Sequence, residues 1–249
     1  MTTAVIIPAR FESTRFPGKP LSKISGKPMI EWVIEKALGS KLANKVIVAT
    51  DDKRIFEFVN KNLNVEVCLT LAEHKCGTDR IAEVVRHQPD IKYIVNLQGD
   101  EPLMPSEYID KVLEPLLNSE ISMASLISPV DNEADLNNPN IVKAVTDKDR
   151  CALYFSRSPI PHNRENKKDI QYFKHIGIYA YTREAILEFS LFPQSSLEKT
   201  EQLEQLRALE NGIKIKLEVV PKSYPAVDRP EDIKVIENIS DSLKTTTIN

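Results

Sequence analysis

The chain has 249 residues, with 33 Lys and Arg against 36 Asp and Glu, a formal net charge of −3, and 41% hydrophobic residues. That length is ample for a buried core without disulfide staples, and charge of both signs spread along the chain argues against nucleic acid or an anionic membrane as partner. Cys68, Cys76 and Cys151 show neither CxxC spacing nor a nearby histidine pair, and the apolar run at residues 4–7 stops at Pro8, far short of the roughly 20 residues that span a bilayer, so a reduced, cytoplasmic setting is expected.

Residues 5–7 read as a short buried strand, and residues 8–20 as a loop rich in Pro, Gly and basic side chains. Pro28 opens a helix in which Ile30, Val33, Ile34, Ala37 and Leu38 recur at i, i+3, i+4, i+7 and i+8, an apolar stripe fit to pack on a sheet. The alternation continues with a strand at 46–49, a helix at 54–60, a strand at 65–69, a helix from residue 79 with Ile81, Val84 and Val85 on one face, and a strand at 93–97. Strands alternating with helices imply an α/β fold, its mostly parallel sheet covered by helices on both faces and its ligands at the carboxyl ends of the strands.

Beyond a helix at 106–117 the pattern turns strand-rich, with strands expected at 123–130, 141–146 and 173–181 and a polar, mobile loop at 162–170. A helix at 198–210, a strand at 214–219 and a helix at 231–243 follow, and the tail 245–249 is expected to fray. No repeat, low-complexity tract or linker interrupts this order. Residues 1–249 are therefore read as a single catalytic domain, its smaller strand-rich portion at roughly 122–190.

The basic loop Pro8-Ala9-Arg10-Phe11-Glu12-Ser13-Thr14-Arg15-Phe16-Pro17-Gly18-Lys19-Pro20 sits between the first strand and a helix, where α/β sheets bind phosphate. Arg10, Arg15 and Lys19 supply charge, Gly18 permits close backbone approach, and the prolines limit the entropy lost on ordering. The loop matches neither GxxxxGK[ST] nor GxGxxG, so a Walker-type ATPase or a dinucleotide dehydrogenase is not indicated. A plainly solvated basic loop is the alternative.

With this loop go further blocks: Val48-Ala49-Thr50-Asp51, Gly77-Thr78-Asp79-Arg80, Asn96-Leu97-Gln98-Gly99-Asp100-Glu101-Pro102, Ala152-Leu153-Tyr154-Phe155-Ser156-Arg157, His175-Ile176-Gly177-Ile178-Tyr179, Leu203-Glu204-Gln205-Leu206-Arg207 and Val227-Asp228 before Pro230-Glu231-Asp232. On these the chain resembles, nearly from end to end, the sugar-activating nucleotidyltransferases and among them the 3-deoxy-manno-octulosonate (Kdo) cytidylyltransferases. The first block marks only the superfamily; the set is specific. The resemblance implies a Rossmann-like, GT-A-like nucleotidyltransferase fold with a strand-rich sugar-binding and dimerisation portion. It also implies CTP as donor, Mg²⁺ as cofactor, an acidic octulosonate as acceptor for lipopolysaccharide biosynthesis, and a homodimer, with which apolar residues 152–155 are compatible.

Residue by residue, the resemblance puts the nucleotide against Pro8, Ala9, Arg10, Ser13, Arg15, Lys19, Thr70, Gly77, Thr78, Arg80, Gln98 and Asp100, with Lys19, Arg10, Arg15, Asp100 and Asp228 as the catalytic set. It implies Asp100 and Asp228 as metal ligands, and Mg²⁺ needs only one or two carboxylates beside phosphate oxygens and water. On their own, Asp228 reads as a helix N-cap, Asp100 as a turn residue beside Gly99, and Asp79 equally as a first-turn helix charge. An acid sugar needs arginine for its carboxylate and acid or amide groups for its hydroxyls. Gln98, Arg157, Arg164, His175, Tyr179, Glu204 and Gln205 match the sugar side of the family. On the helix at 198–210, Leu203, Leu206 and Leu209 define a buried face, while Glu198, Glu201, Gln202 and Gln205 form a row suited to a polyol or simply to solvent.

Two departures stand out. Cys76 replaces the family's serine, and Ala226 and Arg229 replace its Gly and Thr. They keep 8-amino-3,8-dideoxy-manno-octulosonate open as the acceptor, and one or two metal ions are equally open. The rivals are a nucleotidyltransferase for another sugar and a catalytically silent nucleotide-binding protein on the same fold.

Overall fold

A computed structural model describes residues 2–12, 15–74, 76–130, 132–167 and 169–246, the side chains of 244–246 excepted. In chain order the elements are β1 (Thr2–Ala9), β2 (Lys23–Ile24), β3 (Lys27–Pro28), α1 (Met29–Leu38), β4 (Lys45–Thr50), α2 (Lys53–Asn62), β5 (Glu66–Leu69), α3 (Gly77–His87), β6 (Ile91–Asn96), α4 (Ser106–Asn118), β7 (Met123–Pro129), α5 (Glu133–Asn137), β8 (Lys143–Thr146), β9 (Ala152–Ser156), β10 (Phe173–Thr182), α6 (Arg183–Phe189), α7 (Ser196–Glu201), α8 (Gln205–Glu210), β11 (Ile215–Val219) and α9 (Asp232–Thr246), with one 3₁₀ turn at Lys19–Leu21. Their packing makes two compact units, residues 1–110 with 224–249, and residues 111–223.

In the first unit, β1 lies between β4 and β6 with β5 outside β4, all parallel. Ala4, Val5, Ile6 and Ile7 are fully buried, as a strand covered on both faces requires, and α1, α2 and α3 pack on this sheet. The strand outruns the expected residues 5–7 and continues through Pro8 to Ala9. The carbonyl of Ile6 accepts the Leu97 N–H on the β6 side, and peptide groups two residues apart face the same neighbour. The N–H that Pro8 lacks would therefore face β6 beyond Ile6–Asn96, the last pair of that ladder.

Helix α1 buries Met29, Ile30, Val33, Ile34 and Ala37 but leaves Leu38 57% exposed. At i+8 the helical period has carried Leu38 about 80° round from Ile30, off the apolar arc. A second apolar cluster joins Ile24, Met29 and Leu103 to Val227 and Ile236, with Trp32 and Tyr224 packed against it. It docks the start of α9, and so sets the position of the neighbouring Asp228. That helix runs through Thr245 to Thr246, where fraying is expected; residues 247–249 lie outside the described residues.

In the second unit, β7 pairs with β10 antiparallel and β11 parallel, while β8 pairs antiparallel with β10 and β9. The sheet architecture is thus mixed α/β, as expected. Strand β9 takes up the apolar stretch 152–155, which has no strand expectation of its own, and α5 and α6 are short helices that the apolar pattern does not signal.

The helix expected at 198–210 is two helices, broken at Gln202 with φ +54°. Across the break the buried carboxylate of Glu198 takes a bidentate pair from Arg207, at 2.8 and 2.6 Å. Nine residues of unbroken helix rise about 13 Å, so the pair requires the break. The expected acid and amide row consequently dissolves. Glu198 and Gln205 are buried, Gln202 is exposed, Leu209 is only half-buried, and the Glu201 carboxylate accepts from the Ser156 hydroxyl and the Arg157 N–H at 2.7 and 3.0 Å.

Strand β10 carries a bulge that positions side chains. Ile176 pairs with Leu126, but the next pair is Tyr179 with Ser125, so Gly177 and Ile178 have no opposite residue. Four residues of regular strand separate Cα atoms by about 13 Å. With two residues bulged out, His175 and Tyr179 become same-face neighbours, their ring centroids 5.3 Å apart.

Candidate active site

A cleft of about 440 Å³ opens at the carboxyl ends of β1 and β6, lined by Pro8, Ala9, Arg10, Glu12, Arg15, Lys19, Pro20, Cys76, Gly77, Gln98, Gly99 and Asp100. Two glycines let three chain segments meet there: a Cβ on Gly99 would lie 3.0 Å from the Pro8 carbonyl, and one on Gly77 3.1 Å from the Pro8 ring. The Gln98 amide donates to Asn96 Oδ1 at 2.8 Å, which fixes its orientation. Glu12 was not anticipated in the lining; it follows only from the path of the loop.

The basic loop is pinned from several sides. Gly18, at φ +72°, donates its N–H to the Phe11 carbonyl at 2.8 Å, and its missing Cβ would sit 3.1 Å from the Phe11 ring. The Arg54 guanidinium stacks 3.3 Å over that ring while pairing with Asp52 at 2.6 Å. Arg10 Nη2 donates to the His74 carbonyl. Ser13, with Thr14, lies outside the described residues.

Two aspartates far apart in sequence meet beside this loop. The Val227 N–H donates to the Asp100 carbonyl at 3.0 Å, which sets Asp228 next to Asp100. Lys19 Nζ bridges the same two segments, 2.5 Å from Asp100 Oδ2 and 3.0 Å from the Val227 carbonyl, and Arg15 pairs with Asp228 at 2.9 Å. The Asp232 carboxylate accepts the N–H groups of Asp228 and Arg229, both at 2.8 Å. This explains why Arg229 is tolerated here: its backbone N–H holds the turn while its side chain is largely exposed, 3.8 Å from Glu231.

Glu101, to which the sequence reading gives no role, has its carboxyl pushed up to about 8 by burial and then by the negative charges of Asp100 and Asp228, against the pull of Lys19. An all-oxygen pair of carboxylates fits a hard divalent cation such as Mg²⁺, which keeps phosphate and water in its remaining positions.

Thr70, Thr78 and Arg80, expected at the nucleotide, do not line the cleft. Thr78 and Arg80 are buried because the α3 face that carries Ile81 and Val84 faces inward. Arg80 is 3.0 Å from the Asp51 carboxylate and donates to the Thr70 hydroxyl, so it braces the ends of β4 and β5. Burial lowers its pKa, and Asp51 opposes that shift. At the start of α3, Cys76 Sγ accepts the Asp79 N–H at 3.4 Å, doing as an N-cap what a serine hydroxyl would do.

The remaining expected sugar residues lie in the second unit. Arg157 donates Nε to the Glu201 carbonyl at 2.7 Å, Nη1 to the Pro139 carbonyl at 2.9 Å and Nη2 to the Gln202 carbonyl at 3.3 Å. Lys143, fully buried, donates to the carbonyls of Asn138, Ile141 and Arg157 at 2.9, 2.6 and 2.6 Å. These bonds lock the segment that carries Arg157. His175 meets the Phe155 ring edge-on at 5.0 Å, and burial pushes its pKa down to about 3. The Tyr179 phenol is held well above its usual range by burial and then by Glu204. Gln205 is 5% exposed, whereas Arg164 is exposed in a turn and is not brought together with the others. Sequence reasoning gives no role to Ser125 or Lys143, and reads Glu198 and Glu201 as part of a polyol-binding or solvated row where they pair instead with Arg207 and with Ser156 and Arg157, because a buried polar group is identified only by its partners.

Residues 4–215 match the family model described as cytidylyltransferase. The chain is 45% identical over 249 residues to a 3-deoxy-manno-octulosonate cytidylyltransferase of Thermodesulfovibrio yellowstonii, covering 95% of this chain and 97% of the relative. To that of Haemophilus influenzae it is 47% identical over 253 residues, covering 96% and 98%. A solved CMP:2-keto-3-deoxy-manno-octonic acid synthetase complexed with CTP superposes with TM-score 0.92 at 38% identity, over 97% of this chain and 99% of that one.

Proposed function

Because this chain belongs to the cytidylyltransferase family, in its 3-deoxy-manno-octulosonate branch, we propose that it transfers CMP from CTP to a Kdo-type acidic sugar and releases pyrophosphate. The observation that carries this reading is that the segment carrying Asp228 is tied to Asp100 and Lys19 of the cationic cleft, by the 3.0 Å bond from Val227 N–H to the Asp100 carbonyl and by Lys19 Nζ on both segments.

In the proposed reaction the anomeric C2 hydroxyl attacks the α-phosphorus in line, a P–O bond forms, the bond to the bridging oxygen of pyrophosphate breaks, and the hydroxyl proton is lost to solvent. Arg10, Arg15 and Lys19 offset phosphate charge, and positioning and charge neutralisation suffice without a covalent nucleophile. Asp100 and Asp228 would hold Mg²⁺, which when bound neutralises phosphate charge. Gln98, His175, Tyr179, Glu204 and Gln205 would address the sugar's hydroxyls, with Arg157 and Arg164 for its carboxylate. The product would serve lipopolysaccharide biosynthesis in the cytoplasm, and the enzyme would act as a homodimer.

The deciding experiment incubates the enzyme with CTP, Mg²⁺ and either Kdo or 8-amino-3,8-dideoxy-manno-octulosonate, measuring pyrophosphate release and product mass. A CMP-sugar from at least one acceptor is expected, and the ratio of kcat/KM assigns the preferred one. Absence of product from both, with turnover of another sugar, would sink the reading.

A further inference from the structure

The bulge in β10 leaves Gly177 and Ile178 with no opposite residue on β7, and the carbonyl of a buried residue such as Ile178 needs a donor. The hydroxyl of Ser125, with no accessible surface, lies 2.8 Å from the Ile178 carbonyl and 3.2 Å from that of Ile176. The same oxygen is 2.8 Å from His175 Nε2. A serine hydroxyl has one proton and carbonyls only accept, so that proton is committed to the bulge. The contact with Nε2 is then a hydrogen bond only if the proton on it belongs to the imidazole.

We infer that Ser125 is a positioning residue that fixes His175 as its Nε2–H tautomer, so that Nδ1 is presented as an acceptor to a hydroxyl or amino group of the acceptor sugar and not to its carboxylate. The sugar part of this inference rests on the function proposed above; the tautomer does not. Among the described residues Nδ1 has no hydrogen-bond partner. The ring is also held from its other sides, by Phe155 edge-on at 5.0 Å, by Tyr179 at 5.3 Å, and through its backbone N–H, which donates to the Val142 carbonyl at 2.8 Å. A neutral ring with its lone pair outward repels a carboxylate and accepts from a donor. This assigns the sugar's acid group to arginine.

The test uses ¹⁵N-histidine-labelled full-length enzyme, with His175 assigned through His175→Gln, and reads the two ring nitrogens by long-range proton–nitrogen correlation near pH 7. The expected result is a protonated Nε2 and an unprotonated Nδ1. Ser125→Ala should give a mixture of tautomers and raise KM for the acceptor sugar by about three- to tenfold, the size of one neutral hydrogen bond. In that variant kcat and KM for CTP should change less, and Ser125→Thr, which keeps a hydroxyl, should restore the wild-type nitrogen pattern. A wild-type spectrum with the proton on Nδ1, or on both nitrogens, overturns the tautomer assignment whether or not the protein turns over an octulosonate. An unchanged acceptor KM in a folded Ser125→Ala overturns the role toward the sugar.

Discussion

Asp100 and Asp228 are the residues on which single-atom changes should be most telling, because each is already paired with a cation of the loop, at 2.5 Å to Lys19 and 2.9 Å to Arg15. Replacing Asp100 by Ala removes one of two candidate metal carboxylates and frees Lys19 within the cleft. Turnover should fall by about two orders of magnitude or more, the scale of a lost electrostatic contact to the transition state, while the far-ultraviolet circular dichroism spectrum is retained. An unaffected rate would refute the metal assignment.

His175 gives a second test at this scale. Its folded pKa of about 3 lies below the ordinary 6.5, so the folded ring stays neutral where the unfolded one takes up a proton. The stability it lends is full above pH 6.5 and is lost as pH falls from there toward 3. Between pH 7 and pH 5 this amounts to about 2 kcal/mol. Urea midpoints should drop accordingly in the wild type and less in His175→Gln; equal slopes would contradict it.

At this scale the residues themselves single out Lys19, through the basic loop that carries it, whereas Asp100 and Asp228 read on their own as a turn residue and a helix N-cap and take a candidate role only from the family resemblance. The sequence hides Ser125 and places Glu198 and Glu201 in the wrong row, because their meaning comes only from partners up to 53 residues away, the separation of Ser125 from Ile178.

Among the elements, the parallel strands and α1 were readable from apolar runs and 3.6-residue periodicity, since those patterns record burial directly. The break between α7 and α8 was not, because the leucine pattern through residues 198–210 satisfies a continuous helix and the buried pair of Glu198 with Arg207 overrides it. Removing one partner of a buried ion pair typically costs about 3–5 kcal/mol. Glu198→Ala should therefore lower the unfolding free energy by that amount in denaturant titrations. A loss under about 1 kcal/mol, as for an exposed pair, would show that α7 and α8 are held apart by something else.

The N-terminal loop offers the matching test of local backbone geometry. At φ +72° and 3.1 Å from Phe11, an alanine in place of Gly18 meets both left-handed strain and a ring that must move, together about 1–2 kcal/mol. The expected outcome is a raised KM for CTP with a thermal midpoint only a few degrees lower; a KM equal to wild type would mean that this turn does not shape the nucleotide site.

For the whole molecule, alternation of strands and helices in the first half implied the parallel sheet correctly, because crossover connections leave few alternatives. Its continuation did not announce where one compact unit gives way to another, at residues 110 and 223. The return of residues 224–249 to the first unit is what places Asp228 beside Asp100, and it rests on Val227 and Ile236 in an apolar cluster that no local pattern reveals. Among the described residues no helix is long and apolar enough to cross a membrane, and the three cysteines are free thiols.

A crystal structure of the enzyme grown with CTP and Mg²⁺ tests the central claim most directly. The account predicts the triphosphate in the cleft beside Arg10, Arg15 and Lys19, with one cation bound by both Asp100 and Asp228. A nucleotide seated elsewhere, or a cation touching neither aspartate, would contradict it.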